Sequence, residues 1–405
     1  MERSIAGMSS ERLGRIAPYL EQHFIAPGKI AGCQTLVARR GQVVYRAAQG
    51  ALDRAREKPM RDDAIFRIYS MTKPITAVAL MQLYERGMFQ LDEPVERVIP
   101  AWRELQVYVA GEGSAMRTQA LTQPITFRHL LTHSGGLTYA GFPRASEALH
   151  PVDRAYQALR VGSRKDTLQQ MIEKLAQLPL RYEPGQRWLY SYSSDVCAYL
   201  VEALSGQRFD RYLSEHVLTP LGMHDTSFSI APDRVERLTA CYARGADQQL
   251  KLTDDPLASE YAREPTFFAG GHGLLSTLSD YYLFCEMLRR GGELNGARIL
   301  GPRTLRLMTQ NHLPGGRDLT ELALGYSETG TEGIGFGLGF ATTLSEVRAG
   351  SYGPGDFFWG GMASTLFWVD PREELVVIFM TQLVPSSTYN FRGPLKSLVY
   401  SSITE

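Results

Sequence analysis

Residues 68–80 read Ile-Tyr-Ser-Met-Thr-Lys-Pro-Ile-Thr-Ala-Val-Ala-Leu, which places Ser70 and Lys73 three residues apart. The apolar residues that follow recur at helical spacing. Pro74 has no N–H and is best tolerated in a first helical turn, so we expect a helix to begin near Ser70. The hydroxyl would then lie at the positive end of the helix dipole, with the lysine on the same face one turn later.

Such an arrangement can activate a serine without a histidine. The lysine can accept the hydroxyl proton, while free N–H groups at the helix start hold the oxyanion that forms when an acyl carbonyl is attacked. The same residues also fit a helix N-cap serine followed by a solvated lysine, and chance can supply one Ser-x-x-Lys in a chain this rich in serine. The rest of the chain has to distinguish the two interpretations.

The composition is that of an ordinary globular protein, with 44% apolar and 21% charged residues in a chain of 405. Because 43 basic residues balance 43 acidic ones, we expect no attraction to nucleic acid or to an acidic membrane. The N-terminus lacks a secretory signal and no stretch has the length of a membrane span, so a cytoplasmic location is expected. The cysteines have no metal-site spacing, and we predict buried thiols and no metal or cofactor. They are Cys33, Cys197, Cys241 and Cys285.

The order of strand and helix patterns along the chain predicts an α/β (α+β) fold. Strand patterns occupy 30–38, 43–48 and 66–68, and they return at 333–342, 357–369 and 374–382. Helical patterns dominate between them, including 126–131, 145–159, 167–178 and 194–204. We therefore predict a domain with an antiparallel sheet flanked by helices, formed by 1–91 and 266–405. An inserted, mostly helical domain would span 92–265, with the active site in the cleft and with 111–123 and 244–255 as exposed polar loops.

Two further motifs follow Ser70 and Lys73 along the chain. Tyr190 and Ser191 close a loop that enters a helix, and Trp359-Gly360-Gly361 interrupts a strand, which often marks close approach of a ligand to the backbone. In this order the three motifs resemble those of the family VIII carboxylesterases, relatives of class C β-lactamases and penicillin-binding proteins. Residues 129–137 and 270–277 resemble further recurrent stretches of that family. The resemblance implies a serine β-lactamase-like fold.

The resemblance also implies a role for each motif residue. Ser70 would be the nucleophile, Lys73 its partner in proton transfer, and Tyr190 the general base as a phenolate. A nearby ammonium favours ionised tyrosine, and the two groups should titrate as a coupled pair. The backbone N–H groups of Ser70 and Met362 would form the oxyanion hole. The residues expected to contact substrate are Trp359, Gly360, Gly361 and Tyr192.

Two departures from the β-lactamase pattern bear on the substrate. Trp359-Gly360-Gly361 stands where β-lactamases carry Lys-Thr-Gly, and Tyr192 stands where they commonly have asparagine. Both changes make the site less polar, which favours small apolar esters over anionic antibiotics. The chain has no Gly-x-Ser-x-Gly, which argues against the α/β-hydrolase route to an esterase. We therefore predict a serine carboxylesterase that hydrolyses short-chain acyl esters of small molecules through an acyl-enzyme.

Several residues keep a second interpretation. Tyr192 offers a competing register for the base, and Trp359 could be an ordinary core residue. His133 and His272 are expected to structure glycine-rich loops and not to form a serine–histidine dyad. The acidic residues between Asp318 and Glu332 are expected in a solvated, mobile loop that borders the site.

Other functions share the same half-reaction. An acyltransferase, a D-amino-acid peptidase or amidase, and a weak β-lactamase differ from the esterase only in the acceptor or leaving group. The fold could also serve a non-catalytic ligand-binding protein. The sequence leaves the natural substrate and the oligomeric state open.

Overall fold

The computed structural model describes residues 4–141, 149–324 and 329–405. An eight-stranded sheet, antiparallel at every described pairing, forms the centre of this part of the chain. In sheet order its strands are Ile334–Phe336, Ala341–Thr343, Phe357–Gly360, Leu366–Asp370, Leu375–Thr381, Gly32–Arg39, Gln42–Asp53 and Lys58–Pro59. Strands from the two ends of the chain are thus direct neighbours. The predicted α/β (α+β) class with an antiparallel sheet is confirmed.

The middle of the sheet is covered on both faces. Every residue of Gly32–Arg39 and of Leu375–Thr381 is buried. The Tyr281 ring, on helix Leu278–Arg289, lies 5.2 Å from the Phe367 ring, which shares a face with Ile378. Successive side chains of a strand point to opposite faces, so the neighbouring Phe379 points the other way. It stacks there on Phe391, just before the C-terminal helix, with ring centroids 5.0 Å apart.

The smaller strands pair outside this sheet. They are Ser4–Ile5 with Met8–Ser9, Ile65–Arg67 with Leu275–Thr277, Gln106–Ala110 with Arg117–Ala120, Glu293–Leu294 with Ala297–Arg298, and Cys241–Arg244 with both Leu250–Asp254 and Leu383–Val384. The α-helices of the described residues are Ser10–Leu13, Ile16–Leu20, Thr72–Glu85, Phe127–Leu131, Pro151–Ala158, Leu168–Leu175, Ser193–Ser205, Phe209–Leu213, Thr219–Leu221, Leu278–Arg289, Pro302–Met308, Leu319–Leu322, Glu346–Ala349 and Arg392–Tyr400.

Two segments expected to be loops contain strands, so those expectations were wrong. Arg117–Ala120 pairs with Gln106–Ala110, and Leu250–Asp254 pairs with Cys241–Arg244. Every residue of Arg117–Ala120 is exposed, so burial imposes no apolar alternation on that strand. Polar two-sided strands therefore look like loops in a sequence.

The expectation of solvated acidic residues between Asp318 and Glu332 was wrong at Asp318, whereas Glu321 and Glu332 are exposed. Asp318 is buried, and its carboxylate accepts hydrogen bonds from the N–H groups of Thr320 and Gly333 and pairs with Arg348 at 2.7 Å. Leu319–Leu322 then forms a short helix. Residues 325–328 of this segment, and 145–148 of the helix predicted over 145–159, lie outside the described residues.

Thr72–Glu85, called the serine helix below, runs through the interior. All residues from Thr72 to Leu83 are buried, as expected of a helix that is apolar around its whole circumference. A 3₁₀ turn, Tyr69–Met71, precedes it and carries Ser70. Pro74 is the third residue of the helix, so the prediction that the helix begins near Ser70 is confirmed. Ser193–Ser205, called the tyrosine helix below, packs against it.

The four cysteines are buried and unpaired, as predicted. In the described ranges, none of the helices combines the length and the apolar character that crossing a bilayer requires.

Candidate active site

The turn that carries Ser70 is fixed by backbone contacts on several sides. Ile68 N–H donates to Leu274 O at 3.1 Å, and Leu274 N–H donates in turn to the Thr72 hydroxyl at 3.1 Å. Tyr69 has φ +41°, a left-handed conformation that costs energy for a residue with a side chain and that tends to occur at functional sites. The Ser70 side chain is held at the start of the serine helix, 6% exposed.

Lys73 joins the serine to the other parts of the site. Its ammonium donates to Ser70 Oγ at 3.1 Å and to the carbonyl oxygen of Gly271 at 2.7 Å. The same Nζ lies 4.4 Å from the centroid of the Tyr190 ring and 5.2 Å from that of Tyr139, within cation–π range. The residue is 3% exposed, so these contacts are made away from bulk water.

Tyr190 reaches this ammonium from the loop before the tyrosine helix. Its hydroxyl accepts a hydrogen bond of 3.1 Å from Trp359 Nε1. The Trp188 ring lies nearly parallel to it, with centroids 5.8 Å apart and an interplanar angle of 12°. The Tyr192 hydroxyl bonds to a different segment, because it donates a hydrogen bond to Val161 O at 2.8 Å. The structure therefore brings Tyr190 to Ser70 and Lys73 and turns the Tyr192 hydroxyl toward another segment.

The position of Trp359 changes the role assigned to it. Its side chain is fully buried and its one donor is bonded to the Tyr190 hydroxyl, which leaves no exposed surface for the substrate contact predicted for this side chain. Gly361 follows at the end of the same strand. A Cβ there would lie 2.4 Å from Ile68 O and 2.3 Å from Thr365 Oγ1, so only glycine permits this approach to the turn that carries Ser70.

Met362 lies directly after this close contact. Among the described residues none accepts a hydrogen bond from its N–H. An unpaired N–H next to the turn that carries Ser70 is the kind of donor that an oxyanion hole needs.

The two histidines have the surroundings of structural residues. His133 is buried, with Nδ1 3.2 Å from Ser191 Oγ and Nε2 3.4 Å from Ser194 Oγ. Burial, and then the charge of Lys73, hold the pKa of His133 well below its ordinary value. Burial lowers the pKa of His272 to about 3, with further lowering by Lys73 and Arg164. Both imidazoles are therefore neutral, which fits loop structuring.

Three residues near the ammonium were not singled out from the sequence: Tyr139, Asp195, and Gly271, whose carbonyl oxygen accepts a hydrogen bond from Lys73. The Asp195 carboxylate is fully buried and accepts a hydrogen bond from Gly271 N–H at 3.0 Å. An acidic residue in the first turn of a helix is ordinary, so nothing in the sequence distinguished it.

Within the described part of the chain, no group of three or more histidine, cysteine or acidic side chains is arranged to hold a metal ion.

Comparison with known proteins gives a consistent result. The family described as Beta-lactamase matches residues 19–399. Esterase EstB of Burkholderia gladioli is 30% identical, over 91% of this chain and 89% of its own. Acyltransferase calJ of Penicillium decumbens is 29% identical, over 81% and 78%. The solved structure of EstCE1, described as a hydrolase with promiscuous acyltransferase activity, has a TM-score of 0.77 at 26% identity and covers 98% of this chain and 99% of its own. The resemblance inferred from the motifs is confirmed.

Proposed function

Since the chain belongs to the Beta-lactamase family, we propose that it is a serine carboxylesterase acting on short-chain acyl esters through an acyl-enzyme on Ser70. One observation carries the proposal: a buried Lys73 ammonium lies between Ser70 Oγ, at 3.1 Å, and the ring of Tyr190, at 4.4 Å. A solvated lysine beside an N-cap serine would not be arranged in this way.

The reaction follows from these contacts. The proton of Ser70 passes to the coupled pair formed by Lys73 and Tyr190 as Oγ bonds to the acyl carbon. The N–H groups of Ser70 and Met362 stabilise the resulting oxyanion. The carbon–oxygen bond to the alcohol then breaks, and the alcohol leaves with the proton. Water attacks the acyl-enzyme by the same proton path and releases the acid.

The division of the chain into domains forms part of this proposal. Tyr190 comes from the mostly helical stretch 92–265, whereas Ser70, Lys73 and Trp359 come from 1–91 and 266–405. The site would therefore lie in the cleft between the two.

The substrate class is supported by what replaces the polar β-lactamase motif. Trp359, where β-lactamases carry lysine, offers no cation to a carboxylate, because its indole is uncharged, and its side chain is buried against Tyr190. The rings of Tyr139 and Tyr190 lie beside the Lys73 ammonium, and aromatic surroundings favour a neutral acyl group over an anionic antibiotic.

Acyl transfer to an alcohol is the second candidate, because the relatives include both an esterase and an acyltransferase. Hydrolysis of a p-nitrophenyl ester with and without an added alcohol distinguishes the two. Acid as the main product in the presence of alcohol supports the hydrolase, and mainly ester product would favour the transferase.

Intact-mass measurement after treatment with a fluorophosphonate tests the nucleophile. One adduct is expected on the wild type and none on Ser70→Ala. Lys73→Ala and Tyr190→Phe should each lower kcat by at least about a thousandfold. Tyr192→Phe is the matched comparison and should lose far less, since its hydroxyl is bonded to Val161. No adduct on the wild type would leave only the binding-protein interpretation.

A further inference from the structure

A buried carboxylate lies behind Lys73. Asp195 is the third residue of the tyrosine helix and is fully buried. Its Oδ1 accepts from Gly271 N–H at 3.0 Å, whereas no described residue donates a hydrogen bond to its Oδ2. The described salt bridges do not include it. A buried carboxylate with so few partners costs free energy, so its presence calls for a compensating role.

Gly271 connects this carboxylate to the reacting atoms. Its N–H is held by Asp195, and its carbonyl oxygen accepts from Lys73 Nζ at 2.7 Å, the same Nζ that donates to Ser70 Oγ. A Cβ at position 271 would lie 2.8 Å from Asp195 Oδ2 and 2.5 Å from the Tyr139 hydroxyl. Only glycine therefore fits between the carboxylate and the tyrosine.

The charges around Asp195 come from a small set of groups. Three of these groups come from other segments: Lys73 from the serine helix, and Tyr139 and Gly271 from two loops. Two more, Tyr192 and Cys197, belong to the segment that contains Asp195 itself. Of these groups only Lys73 carries a positive charge. The field of the carboxylate therefore acts mainly on the Lys73 ammonium.

We propose that Asp195 is a positioning residue for the reaction at Ser70: it fixes the Gly271 carbonyl that orients Lys73, and its negative charge raises the proton affinity of the Lys73–Tyr190 pair. The pair then accepts the Ser70 proton more readily and holds it until the alcohol leaves. This inference rests on the proposed function.

Asp195→Asn tests it, because asparagine keeps the shape and the acceptor for Gly271 N–H while removing the charge. Without the negative charge the pair loses its proton more easily, so the acidic limb of the kcat/KM profile should move to lower pH by about one unit. The plateau of kcat should fall at least about tenfold, with KM little changed. Burial raises the pKa of Asp195 to about 6, against the opposing effect of Lys73, so the comparison is made from pH 5 to 9.

Asp280→Asn is the matched control. Asp280 is also a buried carboxylate in the first turn of a helix that accepts a backbone N–H, from Asp225 at 2.7 Å, but its other partner is Thr226. Its variant should keep the wild-type profile. If Asp195→Asn does not fold, Asp195→Ser is expected to show the same shift.

The outcomes separate the two proposals. A wild type without ester turnover or fluorophosphonate adduct overturns the proposed function. An active wild type whose acidic limb stays in place in Asp195→Asn overturns the role of Asp195. An equal loss in Asp280→Asn does the same, since it indicates a purely structural effect.

Discussion

Replacing Trp359 by phenylalanine removes one hydrogen bond from the proposed base and leaves the aromatic packing largely in place. Trp359 Nε1 donates to the Tyr190 hydroxyl at 3.1 Å, and both side chains are buried. A donor at that oxygen stabilises the phenolate more than the phenol. Trp359→Phe should therefore make the Lys73–Tyr190 pair harder to deprotonate and move the acidic limb of kcat/KM to higher pH.

The size of the shift follows from the strength of the lost bond. A hydrogen bond to a charged group is worth about 1.5–3 kcal/mol, and each pH unit corresponds to about 1.4 kcal/mol. The limb should rise by about one to two units. Below the limb, kcat/KM should fall by a factor of about 10 to 100.

Trp188→Phe is the matched control for this experiment. Trp188 is also buried and stacks on the same Tyr190 ring, but no described residue accepts a hydrogen bond from its Nε1. Its variant loses similar packing and no bond to the base, so its acidic limb should stay at the wild-type position. The measurement is kcat/KM for a p-nitrophenyl ester from pH 5 to 9.

Equal shifts in the two variants would attribute the effect to packing and refute the reasoning. An unmoved limb in Trp359→Phe would show that the tyrosine hydroxyl is not the titrating group. The expected direction is opposite to that for Asp195→Asn, so the two substitutions test the same pair from both sides.

Three further predictions concern stability and the oxyanion hole. Because burial raises the pKa of Asp195 to about 6, its ionisation destabilises the fold as pH rises from about 4 to 6. The Tm of Asp195→Asn should therefore rise relative to that of the wild type over this interval and stay higher above it. A Tm difference that does not change with pH in thermal melts would contradict this. Burial lowers the pKa of His272 to about 3, so as pH falls below 6.5 this histidine is protonated in the unfolded chain before it is protonated in the folded one. The Tm of the wild type should therefore fall relative to that of His272→Gln between pH 6.5 and 4. A Tm difference between the two proteins that stays constant over this range would count against the prediction. Gly361→Ala should lower kcat by at least about a hundredfold, because the added Cβ pushes the strand away from Ile68 O. Gly330→Ala is the control and should retain wild-type kcat, since nothing lies within 4 Å of its added Cβ. Equal kcat values for the two variants would disprove the close-contact argument.

The sequence predicted more of the backbone than of the site. Pro74 located the start of the serine helix, and apolar strand patterns located the sheet regions at both ends of the chain. The stretches predicted over 333–342 and 357–369 each contain two strands joined by a turn. It failed where strands are polar on both faces, as in Arg117–Ala120, and where a single acidic residue was buried, as at Asp318. Arg117–Ala120 buries neither face, so it lacks the alternation of apolar and polar residues that marks a strand in a sequence. Asp318 is a polar side chain that is buried and paired, so its polarity did not predict exposure.

The sequence alone determined the local structure and the order of the motifs, because helix starts and buried strands depend on residues that are close together along the chain. The tertiary structure decided which side chains meet. Tyr190 lies beside Lys73, whereas the Tyr192 hydroxyl bonds to Val161. Trp359 donates a hydrogen bond to Tyr190 across 169 residues of sequence, and Lys73 donates one to Gly271 across 198. These contacts depend on how distant segments pack, and no short-range pattern encodes that packing. The sequence likewise shows Asp195 only as an ordinary residue in the first turn of a helix, because its position behind Lys73 depends on the packing of distant segments.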